Sequence, residues 1–177
     1  EIVDISGNVD IIGNVDISGN LKYSNVRFFA YGTGGVATRS QGSPIQFTAT
    51  SINDGSHFKT SAYYFEAPIY GVYSLSISLH LEPNTNNNNY NQIAPQRATS
   101  QNYNNWDYIY FDTLNSTSGS AHIFNDNGMA TANLNFICKL NSGDRIRVAV
   151  RPPPYGPTSV TFWMGHCFFC GELISPL

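Results

Sequence analysis

Apolar and polar residues alternate with a period of two along most of this chain, and helical periodicity is nearly absent. In Val72-Tyr73-Ser74-Leu75-Ser76-Ile77-Ser78-Leu79-His80-Leu81 the large apolar groups recur at every second position, which predicts an antiparallel strand with one buried face. Residues 130–140 alternate in the same way, with Leu134, Phe136 and Cys138 on one side. Further strands are predicted over residues 26–31, 44–50, 63–65, 106–111, 145–150, 160–164 and 168–174. Turn signals separate them, among them Asn53-Asp54-Gly55, Asn125-Asp126-Asn127-Gly128 and Asn141-Ser142-Gly143-Asp144, and three prolines at 152–154 stop the strand before them. Many short strands without βαβ alternation indicate an all-β jelly-roll sandwich over residues 26–177. Residues 83–105, rich in Asn and poor in aliphatics, predict a long surface loop, or two loops flanking a short strand.

The start of the chain has another rhythm. Val3-Asp4-Ile5-Ser6-Gly7-Asn8, Val9-Asp10-Ile11-Ile12-Gly13-Asn14 and Val15-Asp16-Ile17-Ser18-Gly19-Asn20 repeat every six residues, and Leu21-Lys22-Tyr23-Ser24-Asn25 is a decayed fourth copy. Each unit reads as a three-residue strand with aliphatics on one face and Asp on the other, followed by a Gly-Asn turn. Such units cannot hide their apolar face alone. A one-turn solenoid has almost no core, and a frayed leader leaves the periodicity unused. Several parallel chains can pool the aliphatics, and threefold closure is the natural limit. Residues 1–25 are therefore expected to form a trimeric β-stem, with Val3, Ile5, Val9, Ile11, Val15, Ile17 and Leu21 as its trimerising positions. The pattern resembles the stem repeats of trimeric viral and phage fibres.

Composition narrows the partners. Only 12% of the 177 residues are charged, with a net charge of −3, against roughly 25% charged residues in an ordinary domain. A nucleic-acid binder needs a concentrated basic surface, which this chain lacks. No apolar run reaches the length of a membrane helix, so no membrane insertion is expected. The chain opens at Glu1 without Met or a signal-type leader and reads as a fragment or processed product.

Candidate chemistry is sparse. His57, His80, His122 and His166 are scattered, and no nucleophile elbow, metalloprotease or phosphate-loop motif occurs, so no enzyme is expected. Glu66, Asp107, Asp112 and Glu172 offer carboxylates without a spacing that pairs them. Cys167-Phe168-Phe169-Cys170 has a redox-like spacing, but strand residues three apart face opposite sides. Buried free thiols are expected over a bridge to Cys138 or a metal site. Asp54, Asp126 and Asp144 sit in turns, where calcium is possible but simple turn formation is the plainer account. No cofactor is assigned.

Four blocks along the head resemble one family. Ile52-Asn53-Asp54-Gly55, Phe65-Glu66-Ala67-Pro68-Ile69-Tyr70-Gly71-Val72-Tyr73, Leu140-Asn141-Ser142-Gly143-Asp144-Arg145-Ile146-Arg147-Val148 and Phe169-Cys170-Gly171-Glu172-Leu173-Ile174 stand in order. Together they resemble the C1q globular domain of the C1q/TNF superfamily. The resemblance implies a compact homotrimer with aromatic residues at the subunit contacts. The chain departs from the family's animal members in its Asn-rich segment and in a stem that is not collagen.

Stem and head together predict the tip of a viral or phage fibre on the virion surface. It would join an upstream fibre or virion component and attach to a host cell-surface protein or glycan. The alternatives are an extracellular C1q-like recognition lectin and an architectural trimerisation or capping module. Candidate contact residues are Asn86, Asn87, Asn88, Asn89, Tyr90, Tyr103, Trp106, Tyr108 and Tyr155, which offer aromatic planes and amide donors.

Overall fold

The computed structural model describes residues 26–82, 90–108, 121–124, 130–151 and 159–177. The predicted stem, the Asn86–Asn89 run, Asp112, Asp126 and Tyr155 lie outside the described residues.

Two sheets face each other across one core. The larger contains β1 (Arg27–Tyr31), β2 (Val36–Ser40), β3 (Ala49–Asn53), β6 (Gly71–Leu81), β10 (Ala130–Leu140), β12 (Ser159–Trp163) and β13 (Phe168–Pro176). Its order is β2-β12-β6-β13-β1-β3, with β10 on the other side of β6. The smaller contains β4 (Phe58–Lys59), β5 (Tyr64–Glu66), β7 (Tyr90–Thr99), β8 (Asn102–Tyr108), β9 (Ala121–Phe124) and β11 (Arg145–Arg151). Its order is β4-β5-β11-β7-β8, with β9 also beside β7. All pairings are antiparallel.

The alternation in β6 does what the sequence predicts: Tyr73, Leu75, Ile77, Leu79 and Leu81 are buried, while Ser74, Ser76, Ser78 and His80 take the other face. Phe136 of β10 and Gly171 of β13 both pair with Leu75, so the inner face continues across three strands. The core is strongly aromatic. Phe28 stacks on Phe65 at 4.6 Å and Phe58 at 5.3 Å, and meets the edge of Phe169 at 4.9 Å. Burying each such ring is worth about 1.5–3 kcal/mol, before the smaller gain from offset stacking.

Residues 83–105 differ from the expected loop. Ten of them form β7, a strand inside the smaller sheet, and β8 follows after a tight turn. Burial of Ile93, Ala94 and Ala98 holds β7 in place. Pro95 is tolerated there because β9 pairs with Tyr90–Ile93 and β8 pairs from Gln96 onward. The proline falls in the gap between them, where that flank needs no ladder donor.

The sequence blocks meet in space. Gly143 donates its amide to the Ala67 carbonyl at 2.7 Å, and Ala67 donates to the Asp144 carbonyl at 2.8 Å. Ser142 adds a hydroxyl hydrogen bond to the Pro68 carbonyl. In the Asn53-Asp54-Gly55 turn the Asn53 side chain accepts from the Phe58 amide and donates to the Phe58 carbonyl, so one amide group imitates a strand neighbour and seats Phe58 in the core. Gly55 takes φ +68°, the left-handed region that glycine enters without cost.

Candidate functional site

Each sheet turns an unusual outer face to solvent. On the smaller sheet Arg145 and Arg147 alternate outward along β11, because Ile146 and Val148 between them enter the core. The Arg145 guanidinium lies over the Tyr103 ring at 3.7 Å and the Tyr64 ring at 4.7 Å. Its Nε donates to Glu66 at 2.7 Å. The Arg147 guanidinium lies 4.0 Å over Trp106, and the Trp106 and Tyr64 rings are 6.0 Å apart. Arg147 Nε donates to the buried Gln96 at 2.7 Å, and one of its amino groups reaches the Gly42 carbonyl at 3.4 Å. The Tyr108 hydroxyl donates to the Val150 carbonyl.

Guanidinium planes stacked on rings keep their donor edges free while the apolar faces are covered. Glu66 neutralises Arg145, whereas no carboxylate pairs with Arg147 among the described residues. Burial pulls the Arg147 guanidinium below its ordinary pKa, partly opposed by Tyr108.

Three of the candidate contact residues belong to this cluster. Tyr103, Trp106 and Tyr108 come together on it, and Tyr103 keeps 40% of its surface exposed. For Tyr90 only the backbone, at the start of β7, is described. Tyr64, Arg145 and Arg147 join them without being candidate contact residues from sequence, although the Arg-x-Arg alternation inside a predicted strand is a signal that both arginines share an outward face.

The larger sheet's outer face carries an apolar cluster at its β3–β1–β13 end, while β6 and β10 present Ser74, Ser76, Ser78, Asn133, Asn135 and Lys139 on the same face. Register places Ile52, Phe29, Cys170 and Ser76 in one row, and Tyr31, Phe168 and Ser78 in the next. Phe29 stacks on Phe168 at 5.1 Å, and Ile137 of β10 adds an aliphatic group that is 50% exposed. A shallow groove of about 200 Å³ runs between Arg27, Phe29, Ile52, Cys170 and Glu172.

Other expected chemistry does not assemble. Asp144 is fully buried and spends its carboxylate on Arg97 and on the amides of Ser100 and Asn141, so it is not free to hold calcium. Asp54 is paired with Arg27 at 2.9 Å. No group of three or more His, Cys, Asp or Glu side chains is placed to hold a metal among the described residues. All three cysteines are free, with Cys138 and Cys167 buried and Cys170 half-buried.

The C1q domain profile matches residues 27–171. This chain belongs to the C1q family. Its domains are non-catalytic recognition and trimerisation modules. No curated protein sequence matches the chain. Among solved structures, it is similar to the globular domain of zebrafish complement 1qA protein, with a TM-score of 0.62 and 13% identity over 86% of this chain and 99% of that one. It is also similar to Eiger TNF from S. frugiperda, with a TM-score of 0.65 and 9% identity over 88% and 96%. Murine APRIL gives a TM-score of 0.60 and 8% identity over 85% and 99%. At these identities the likeness is one of fold. The C1q match starts at residue 27, after the hexapeptide repeat, and family membership favours the recognition-lectin or trimerisation-module alternatives over the viral or phage fibre tip.

Proposed function

We propose that this C1q domain is the non-enzymatic recognition head of an extracellular homotrimer. The apolar cluster on the outer face of the larger sheet is the observation that carries the assembly. Phe29, Phe168, Tyr31 and Ile52 cluster at its β3–β1–β13 end and stay partly exposed in a lone chain, and patches of this kind mark interaction sites. Covering it with a second and third copy leaves the arginine–aromatic face of the smaller sheet pointing outward, since the two faces lie on opposite sides of the sandwich. That outward face is the recognition surface, and three copies convert weak contacts with a surface protein or glycan into avidity. The hexapeptide repeat, with Val3, Ile5, Val9, Ile11, Val15, Ile17 and Leu21, would extend the same threefold axis as a stem.

Light scattering on the purified chain tests the assembly. A trimer is expected, with Phe168→Glu giving a folded monomer because Phe168 lies on the outer face and not in the core. A wild-type monomer at micromolar concentration overturns the proposal.

A further inference from the structure

The geometry points to an anionic sugar, one bearing a carboxylate or sulfate, as the ligand of the arginine–aromatic face, with Trp106 and Tyr103 as its stacking planes and Arg147 as its charge partner. The inference rests on reading the chain as a recognition head and adds the ligand's chemical class and its contacts.

Three features of the face converge on that class. The first is charge: Arg145 is balanced by Glu66, but Arg147 stands half-buried without a carboxylate among the described residues. A partly desolvated cation with a free amino group gains most from an incoming anion. Burial holds its pKa down, with Tyr108 opposing part of the shift. The second is shape. Tyr103 is 40% exposed and Trp106 half-buried on the sheet face, each with one plane against a guanidinium, and the aromatic surface left over suits the C–H face of a pyranose. The third is the hydrogen-bonding set beside the rings. Asn102 and Asn104 of β8 are exposed primary amides, each both donor and acceptor, as sugar hydroxyls require, while the Asn105 amide donates to Asp107. An acidic peptide would use the guanidinium without needing the ring planes.

The test is titration of the full chain with a glucuronate-containing disaccharide and a sulfated heparin tetrasaccharide, read by Trp fluorescence and calorimetry. A neutral disaccharide and a poly-glutamate peptide serve as controls. Saturable binding of an anionic sugar that weakens with added salt is expected. Arg147→Gln should weaken it roughly tenfold or more, as loss of one charge-assisted contact implies. Trp106→Ala should weaken it comparably for the sugar, and Lys139→Gln, on the other sheet, should leave it unchanged. Arg147→Lys keeps the charge but loses the stacking plane, so intermediate affinity is expected. Circular dichroism melts confirm that each variant is folded. Equal binding of the neutral sugar, binding unaltered by Arg147→Gln, poly-glutamate binding that Trp106→Ala leaves intact, or no binding at millimolar sugar each overturns the inference. None of these outcomes bears on the trimer, whose mass is measured separately. A monomer that still binds the anionic sugar would defeat the assembly alone.

Discussion

Arg97 of β7 is ion-paired to Asp144, a carboxylate with no solvent exposure in the turn that leads into β11. The same carboxylate accepts the Ser100 amide at 3.1 Å and the Asn141 amide at 2.8 Å. One side chain thereby joins the β7–β8 turn to the β10–β11 turn, and the Asp144 backbone carbonyl holds Ala67 beside them. A buried charge this heavily partnered is costly to remove. Asp144→Asn leaves Arg97 without its counter-charge and should lower unfolding free energy by about 2–4 kcal/mol. Urea unfolding measures it, and a loss below about 0.5 kcal/mol, the range of ordinary surface changes, would contradict the account.

Gly171 is forced by close approach. A Cβ there would collide with Leu75, and would lie 2.9 Å from the Phe28 ring and 3.0 Å from the Ser74 carbonyl oxygen. The backbone oxygen cannot move without breaking the β6–β13 register. Gly171→Ala should therefore destabilise the fold by about 1–3 kcal/mol, the cost of overpacking. A thermal melt distinguishes this from the mild gain that alanine brings at an open strand position.

The strands with one clean apolar face were legible from sequence. β6, β10 and β11 each carry their own proof in the alternation of Leu75, Phe136 or Val148 with polar neighbours. β7 was not legible, because Ala94, Pro95 and Ala98 are small or helix- and strand-breaking, and burial comes from what its neighbours lay over them. β2, with Val36 exposed and one residue in two half-buried, lacks an apolar face altogether. At the site, Tyr103 and Trp106 stood out as aromatics, but their arginine partners come from β11 and Tyr64 from β5. That stack exists only through the register of four strands, which no local pattern encodes.

His57 gives the fold a pH dependence. Burial, then the nearby Lys59 charge, lowers its pKa from the ordinary 6.5, with Glu66 acting weakly in the other direction. The folded state thus prefers the neutral ring. Above the ordinary value both states are neutral and the preference is fully present as stability. As pH falls through that value the unfolded chain takes up a proton first, so stability declines until the lower folded-state pKa is passed. His57→Gln should flatten this decline. Urea midpoints of wild type and variant, compared between about pH 7.5 and about pH 5.5, check it: an unchanged difference between the two proteins would remove His57 from the account.

The three thiols should separate by reactivity. Burial pushes the Cys138 thiol up to about 12, with Asp144 adding to the rise and Arg97 opposing it. Burial also raises Cys167 and Cys170, the latter helped by the Glu172 charge. Since the thiolate is the nucleophile, all three are slow at neutral pH. Cys170 differs in place: it lies half-buried on the outer face of the larger sheet, beside Phe29 and Ser76, while Cys138 and Cys167 are buried. Iodoacetamide should therefore leave Cys138 and Cys167 unmodified until the chain unfolds. If three copies cover the outer face, Cys170 should be protected in the wild type and become the first site alkylated in Phe168→Glu. Peptide mass mapping over time reads the order directly, and modification of Cys138 as fast as Cys170 in the folded variant would contradict it.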